Sequence, residues 1–139
     1  YDPDMGLSVT LSCSAAGHAW MSTMTDEQAL VRVAQQGFGL PQDFGPKAPT
    51  TDKALLTYLR AARKRGYSMI NEVFAPAMTA MAAPVRIGNG TVTGVVTIAG
   101  PLVRLTEYRM QTLAPLLLET AEDVARASGA SALFRRKTA

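Results

Sequence analysis

Apolar and polar positions alternate most clearly between Met78 and Pro101, where two β-prone runs flank Gly88-Asn89-Gly90. The positive-φ tolerance of that tripeptide predicts a tight hairpin turn. Strand side chains alternate between faces, so Val92, Val96 and Ile98 should share one face and Thr91, Thr93, Val95, Thr97 and Ala99 the other. The first face reads as core. The second mixes hydroxyls with small groups and leaves space beside Ala80, Ala82, Thr97 and Ala99. Such space is either a ligand pocket or a solvated or helix-covered sheet face.

Upstream, Leu7-Ser8-Val9-Thr10-Leu11 follows the Asp2-Pro3-Asp4 loop and alternates as a short strand would. Ser12-Cys13-Ser14 then offers N-cap hydroxyls before the small residues Ala15-Ala16-Gly17, which predict a helix start packed closely on a sheet. Unpaired N–H groups at such a start suit an anion, or are met by the hydroxyls and water. Thr25 and Gln28 have capping-box spacing, and Leu30, Val33, Ala34 and Phe38 continue at helical spacing around a Gly37 C-cap. The glycines and prolines from Phe38 to Thr50 exclude regular structure and predict a surface loop with room to move. Thr51 or Asp52 caps the next helix, with Leu55, Tyr58, Leu59 and Ala62 on one face and Gly66 at its end. Tyr67 to Glu72 reads as a strand and Phe74 to Ala77 as a turn into the hairpin. Thr106 opens a long helix with Met110, Leu113, Leu117, Ala121 and Val124 on one stripe, ended by Gly129. Pro115 should kink it or reset its first turn.

At 139 residues the chain fits one domain able to bury a core, and 47% hydrophobic against 18% charged residues makes it globular. A net charge of +3 is only mildly basic, and its clusters, Arg60 with Arg63-Lys64-Arg65 and the terminal Arg135-Arg136-Lys137, read as a solvated helix face and a chain end. The single cysteine, Cys13, excludes an internal disulfide and a cysteine-rich zinc site. No apolar run approaches the roughly 20 residues that cross a bilayer, so no membrane role is expected and the cytoplasm is the default compartment. Cys13 and His18 are the only candidates for a nucleophile and base, and no orienting partner accompanies them; neither catalysis nor metal binding is expected. Of seven methionines, Met69, Met78 and Met81 flank the mixed hairpin face, where they either fill core or line an apolar pocket.

Ala15-Ala16-Gly17-His18-Ala19, the run from Leu59 to Ser68, Glu72, Met81-Ala82-Ala83-Pro84-Val85 and the run from Val96 to Thr106 occur here in the order seen in one known family. From about Leu7 to Ser128 the sequence resembles the C-terminal effector-binding domain of IclR-type bacterial transcription regulators. The resemblance implies an α+β fold: a GAF-like or profilin-like antiparallel sheet flanked by helices, with a long C-terminal helix. It also implies that the chain is one effector-binding domain, incomplete at its N-terminal side, with the DNA-reading winged helix-turn-helix outside it. Carried over position by position, the family's pocket falls on Ser14, Ala15, Ala16, Gly17, Asn71, Glu72, Met78, Ala80, Thr97 and Ala99. No cofactor is implied. The partners are a small-molecule effector, often a carboxylate, and DNA through the other domain, in a homodimer or homotetramer. Departures are His18 where many relatives have Lys, Ala77 where they often have Gly, and Ala80 and Ala99 where some relatives use small polar residues. The last pair makes the pocket more apolar and argues against a very small, highly polar effector. An oligomerisation module with a vestigial pocket is the competing reading, on the apolar excess that includes Leu116 and Leu118; a thiol hydrolase built on Cys13 is a third.

Overall fold

The computed structural model describes residues 8–129. Asp2-Pro3-Asp4, Met5, Leu7 and the basic run Arg135-Arg136-Lys137 lie outside the described residues.

The described residues form four α-helices and one antiparallel sheet: α1 (Ala15–Met21), α2 (Asp26–Gln36), α3 (Asp52–Arg65), then β1 (Ser68–Asn71), β2 (Met78–Arg86) and β3 (Val92–Pro101), and finally α4 (Glu107–Ser128). The strands lie in the order β1-β2-β3. Serine and threonine side chains begin the α-helices as expected. Ser14 Oγ accepts from the Gly17 N–H at 3.0 Å, Thr25 and Gln28 complete a capping box, and Thr51 and Thr106 accept from the N–H groups of Ala54 and Arg109. Gly66 ends α3 in the left-handed region at φ 90°, a conformation glycine adopts without a Cβ clash.

The central strand separates two cores. Met81, Ala83 and Val85 point to one face of β2 and pack with Tyr67, Met110, Leu117 and Ala121, so α4 covers that face. Ala80 and Ala82 point to the other face and pack with Cys13, Ala15, Ala19 and Ile70, which places α1 there. Met21, Val33, Leu55 and Leu59 form a third cluster joining α1, α2 and α3. Arg63 braces that corner by donating to the carbonyls of Ser22 and Met24 and to Asp26, which also pairs with Arg60.

Several expectations are corrected. Val9 and Thr10 are in no regular element and Leu11–Cys13 is a 3-10 turn closed by Cys13 N–H to the Thr10 carbonyl, so no strand forms there. The loop from Phe38 to Thr50 contains a second 3-10 turn, Pro41–Asp43, and is stitched to the end of β1 by Gly45 N–H to the Val73 carbonyl and Lys47 N–H to the Glu72 carbonyl. α4 continues through Pro115 rather than restarting at it. Val96 and Ile98 join the α4 core as expected, but Val92 does not. Val85 pairs with Gly94 and Arg86 with Val92, a register shift that leaves Thr93 as an extra residue and changes the parity of β3 before it. Met69 and Met81 are cross-strand partners on the α4 face, so of the three methionines flanking the hairpin only Met78 lines a cavity on the α1 face.

Candidate functional site

On the α1 face the sheet is incompletely covered. Ile70, Ala80 and Ala99 stand side by side across the three strands, and Ala82 and Thr97 form the next rank. α1 lies over that second rank because its own contacting residues are small. Ser68 Oγ reaches through the layer and donates to the Ala15 carbonyl at 2.7 Å, fixing the start of the helix to β1. What remains is a chamber of about 200 Å³ lined by Ser14, Ala15, Ala16, Ile70, Met78, Ala80, Thr97 and Ala99, with Val9, Phe74 and Thr79 completing its wall.

Seven of the ten residues singled out in the sequence, Ser14, Ala15, Ala16, Met78, Ala80, Thr97 and Ala99, come together here. Three do not line it. Gly17 faces a neighbouring cleft with Trp20. Asn71 lines a small hollow near Tyr58 and Met110. Glu72 turns back on its own loop, where Oε1 accepts from the Ala77 N–H at 3.1 Å and Oε2 lies 4.0 Å from Lys47 Nζ. Val9, Ile70, Phe74 and Thr79 were not marked from the sequence. Phe74, 37% exposed in the turn before β2, carried the one usable signal: a large apolar side chain where a turn normally shows polar ones.

Among the described residues the lining carries no charged side chain. Its polar groups are hydroxyls and backbone amides. The N–H groups of Ala15 and Ala16 have no acceptor within α1 because they open it, whereas that of Gly17 is already taken by Ser14 Oγ. The Thr79 hydroxyl is also committed, donating to the Leu105 carbonyl at 2.5 Å. The chamber's wall thus includes the two residues whose N–H groups open α1, the Thr97 side chain, and alkyl groups elsewhere.

Cys13 and His18 do not form a nucleophile and base. Cys13 is buried, burial pushes its thiol up from the ordinary range, and its Sγ faces the Ser12 hydroxyl and the Phe38 carbonyl. His18 is buried too and donates through Nε2 to the Ser12 carbonyl at 2.7 Å, with its ring against Tyr58. Desolvation holds its pKa below that of a solvated imidazole, so it is a neutral structural group. Among the described residues no three His, Cys, Asp or Glu side chains converge as metal ligands, and no helix is long and apolar enough to cross a membrane.

A three-stranded antiparallel sheet with α1 and α4 on opposite faces, and a chamber on the α1 side, defines an α+β domain. The chain belongs to the IclR family: residues 2–126 match the model for the bacterial transcriptional regulator IclR C-terminal region. The HTH-type transcriptional repressor AllR of Escherichia coli strain K12 is 30% identical over 128 residues, covering 92% of this chain and 46% of that protein. The chain therefore spans about half the length of the curated relatives it matches. Among solved structures, the Thermotoga maritima IclR superposes with a TM-score of 0.77 at 25% identity, over 91% of this chain and 50% of that one. An inducer-binding domain of PobR from Acinetobacter, a double mutant in complex with 3-hydroxybenzoic acid, gives 0.73 at 20% identity over 90% and 77%. At that identity the PobR likeness speaks for the fold alone.

Proposed function

We propose that this domain is the ligand-sensing part of a cytoplasmic bacterial transcription regulator and that its effector is a small organic acid with an apolar body. The chamber on the α1 face carries this reading. Its walls are mostly apolar, alanines with Ile70, Met78, Val9 and Phe74, so the body of the acid is held by contact and desolvation. Its carboxylate lies against the N–H groups of Ala15 and Ala16, with Thr97 adding a hydroxyl and Ser14 holding the helix start in place. Gly17, Asn71 and Glu72 act from outside the chamber, by packing and by bracing the loop that carries Phe74. The PobR inducer-binding domain, in complex with 3-hydroxybenzoic acid, is an instance of this fold with an aromatic carboxylic acid bound.

Occupancy favours one of two subunit arrangements in a homodimer or homotetramer, and the bias is read out by a DNA-binding domain of the same regulator. A thermal-shift screen of aromatic and aliphatic carboxylates tests the proposal, repeated on Thr97→Val and Ala16→Trp. An acid that stabilises the parent should act more weakly on Thr97→Val and have no effect on Ala16→Trp. If no acid stabilises the parent, or both variants respond as it does, the chamber is not the effector site.

A second reading has its own observation. Tyr108, Leu116 and Val124 of α4 are 80%, 58% and 38% exposed, an apolar excess that suits a subunit interface. Leu118, expected to belong to it, instead packs against the α4 core. A stable oligomer in sedimentation together with a failed screen would favour an assembly role over sensing.

A further inference from the structure

α4 packs on the sheet through Met110, Ala114, Leu117 and Ala121 and turns a second face outward. Leu116, 58% exposed, is the midpoint of that face. Seven residues of α-helix make two turns less about 20°, so Arg109 and Asp123 lie almost in line with Leu116, one toward each end of the helix. Thr112 and Thr120 lie four residues to either side of it, and Tyr108 and Val124 eight. The face thus has a two-fold pattern in which hydroxyl and apolar groups repeat about Leu116 and the two charges in line with it are of opposite sign. The Thr112 hydroxyl already donates to the Tyr108 carbonyl at 3.0 Å and that of Thr120 to the Leu116 carbonyl at 2.8 Å, so covering them leaves no donor unpaired. Arg109 pairs with no carboxylate among the described residues. Asp123 has only the exposed Arg126 of its own helix, a surface pair of small worth that is readily exchanged.

We infer that this face is a contact between two copies of the chain, α4 against α4 and antiparallel about a two-fold axis at Leu116, closed by two ion pairs between Arg109 of one copy and Asp123 of the other. The inference rests on the homo-oligomer proposed above and names its contact. About such an axis each residue meets the one equally far on the other side of Leu116. Leu116 meets its own copy, Thr112 meets Thr120 and Tyr108 flanks Val124, while Glu119 lies against Leu113 at the watery rim. A parallel pairing would set Arg109 against Arg109 and Asp123 against Asp123, so charge selects the antiparallel one. Arg109 and Asp123 lie about 10 Å from the axis along the helix, where a crossing angle of roughly 20° separates the helices sideways by about 4 Å, within an arginine's reach. One helix pair is a small interface beside the about 1,200–2,000 Å² of a stable complex, so the pairing is weak and reversible.

Sedimentation of the 139-residue chain between about 10 µM and 1 mM tests the seam. The parent should dimerise over that range. Arg109→Asp and Asp123→Arg should each weaken the dimer at least about tenfold, because each puts like charges at both ends of the seam. Mixed in equal amounts, the two variants should form a heterodimer about as tight as the parent dimer, since one copy then carries aspartate and the other arginine at both positions. A folding defect in either variant would not produce that recovery. If the parent dimerises but the single variants do so equally well, or their mixture does no better than either alone, the seam is wrong and another face joins the subunits. If the parent is monomeric at 1 mM, the seam and the homo-oligomer fall together, and acid binding in the chamber is decided by its own screen.

Discussion

Replacing Gly17 by alanine sets two local effects against each other. Gly17 is buried in the first turn of α1, where alanine has a helix propensity better by roughly 1 kcal/mol. On propensity alone, Gly17→Ala should stabilise the protein. A Cβ at this position, however, meets the Leu11 carbonyl oxygen at 2.2 Å, with Leu11 Cα at 2.6 Å and its carbonyl carbon at 2.7 Å, where ordinary contact begins near 3.4 Å. These are backbone atoms of the preceding 3-10 turn and have no rotamer to escape into. The turn must move by about an ångström, or α1 must lift from β2 and break the Ser68 tether to Ala15. Overpacking of this kind costs about 1–3 kcal/mol even where side chains adjust, so the upper end applies here and the net loss after the propensity gain is about 2 kcal/mol. For a domain of this size the midpoint should fall by roughly 8 °C. Urea unfolding measures the free-energy loss and thermal unfolding the midpoint, both followed by Trp20 fluorescence, with Gly88→Ala as the matched control. A Cβ on Gly88 meets nothing within 4 Å, and its change should stay within about 0.5 kcal/mol. A Gly17→Ala protein as stable as the parent would refute the close approach of α1 to the turn.

Two further outcomes follow from single residues. Ala77 sits at φ 59°, a left-handed conformation that costs a residue with a Cβ about 1 kcal/mol, so Ala77→Gly should raise stability by up to that amount, less the added freedom of the unfolded chain; a loss in chemical denaturation would contradict this. His18 is the one histidine of the chain and is held neutral by burial, so the unfolded chain binds the extra proton first as pH falls. Its contribution to stability should be complete above about pH 6.5 and be lost as pH drops through the lower folded value, with a slope approaching 1.4 kcal/mol per pH unit, about the limit for one proton. Its proton NMR resonance should titrate in the native protein below the solvated midpoint, and a midpoint at or above about 6.5 would contradict this assignment.

Elements with local punctuation were legible in the sequence. Thr25 with Gln28, Thr51, Gly66 and Thr106 mark helix ends by chemistry that acts over three or four residues, and each does so in the structure. The hairpin was legible for the same reason, since a glycine-rich turn between alternating runs states its own geometry. Leu7 to Leu11 misled because period-2 alternation is only a statement about faces. Whether a strand forms also depends on a neighbour to pair with, and the backbone through Thr10 to Cys13 closes on itself instead. Likewise Met81 and Ala80 are adjacent in sequence and face opposite cores; only strand parity, not proximity to the hairpin, tells which one can touch a ligand.

The site divides along the same line. Alanines and hydroxyls at Ala80, Thr97 and Ala99 could be read as a small-walled face because alternation holds from Gly94 onward. Before that point it fails, and nothing in Thr91-Val92-Thr93 announces the failure, because threonine and valine fit a regular strand and an irregular one about equally well. A shift of one residue is invisible to a pattern that repeats every two, yet it removes Val92 from the α4 core and leaves the Thr93 hydroxyl buried beside Trp20. Glu72 was misplaced for a related reason. Its φ of 53° turns it out of the β1 register, so the residue after Asn71 does not continue the strand but folds back to brace Ala77. In both cases the backbone departs from its period at one residue, and the side chain at that residue is the one whose role depends on where it is aimed. Positions of this kind must be found in coordinates: Thr93 lies in the cleft beside Trp20, and Glu72 braces Ala77 in the loop that carries Phe74.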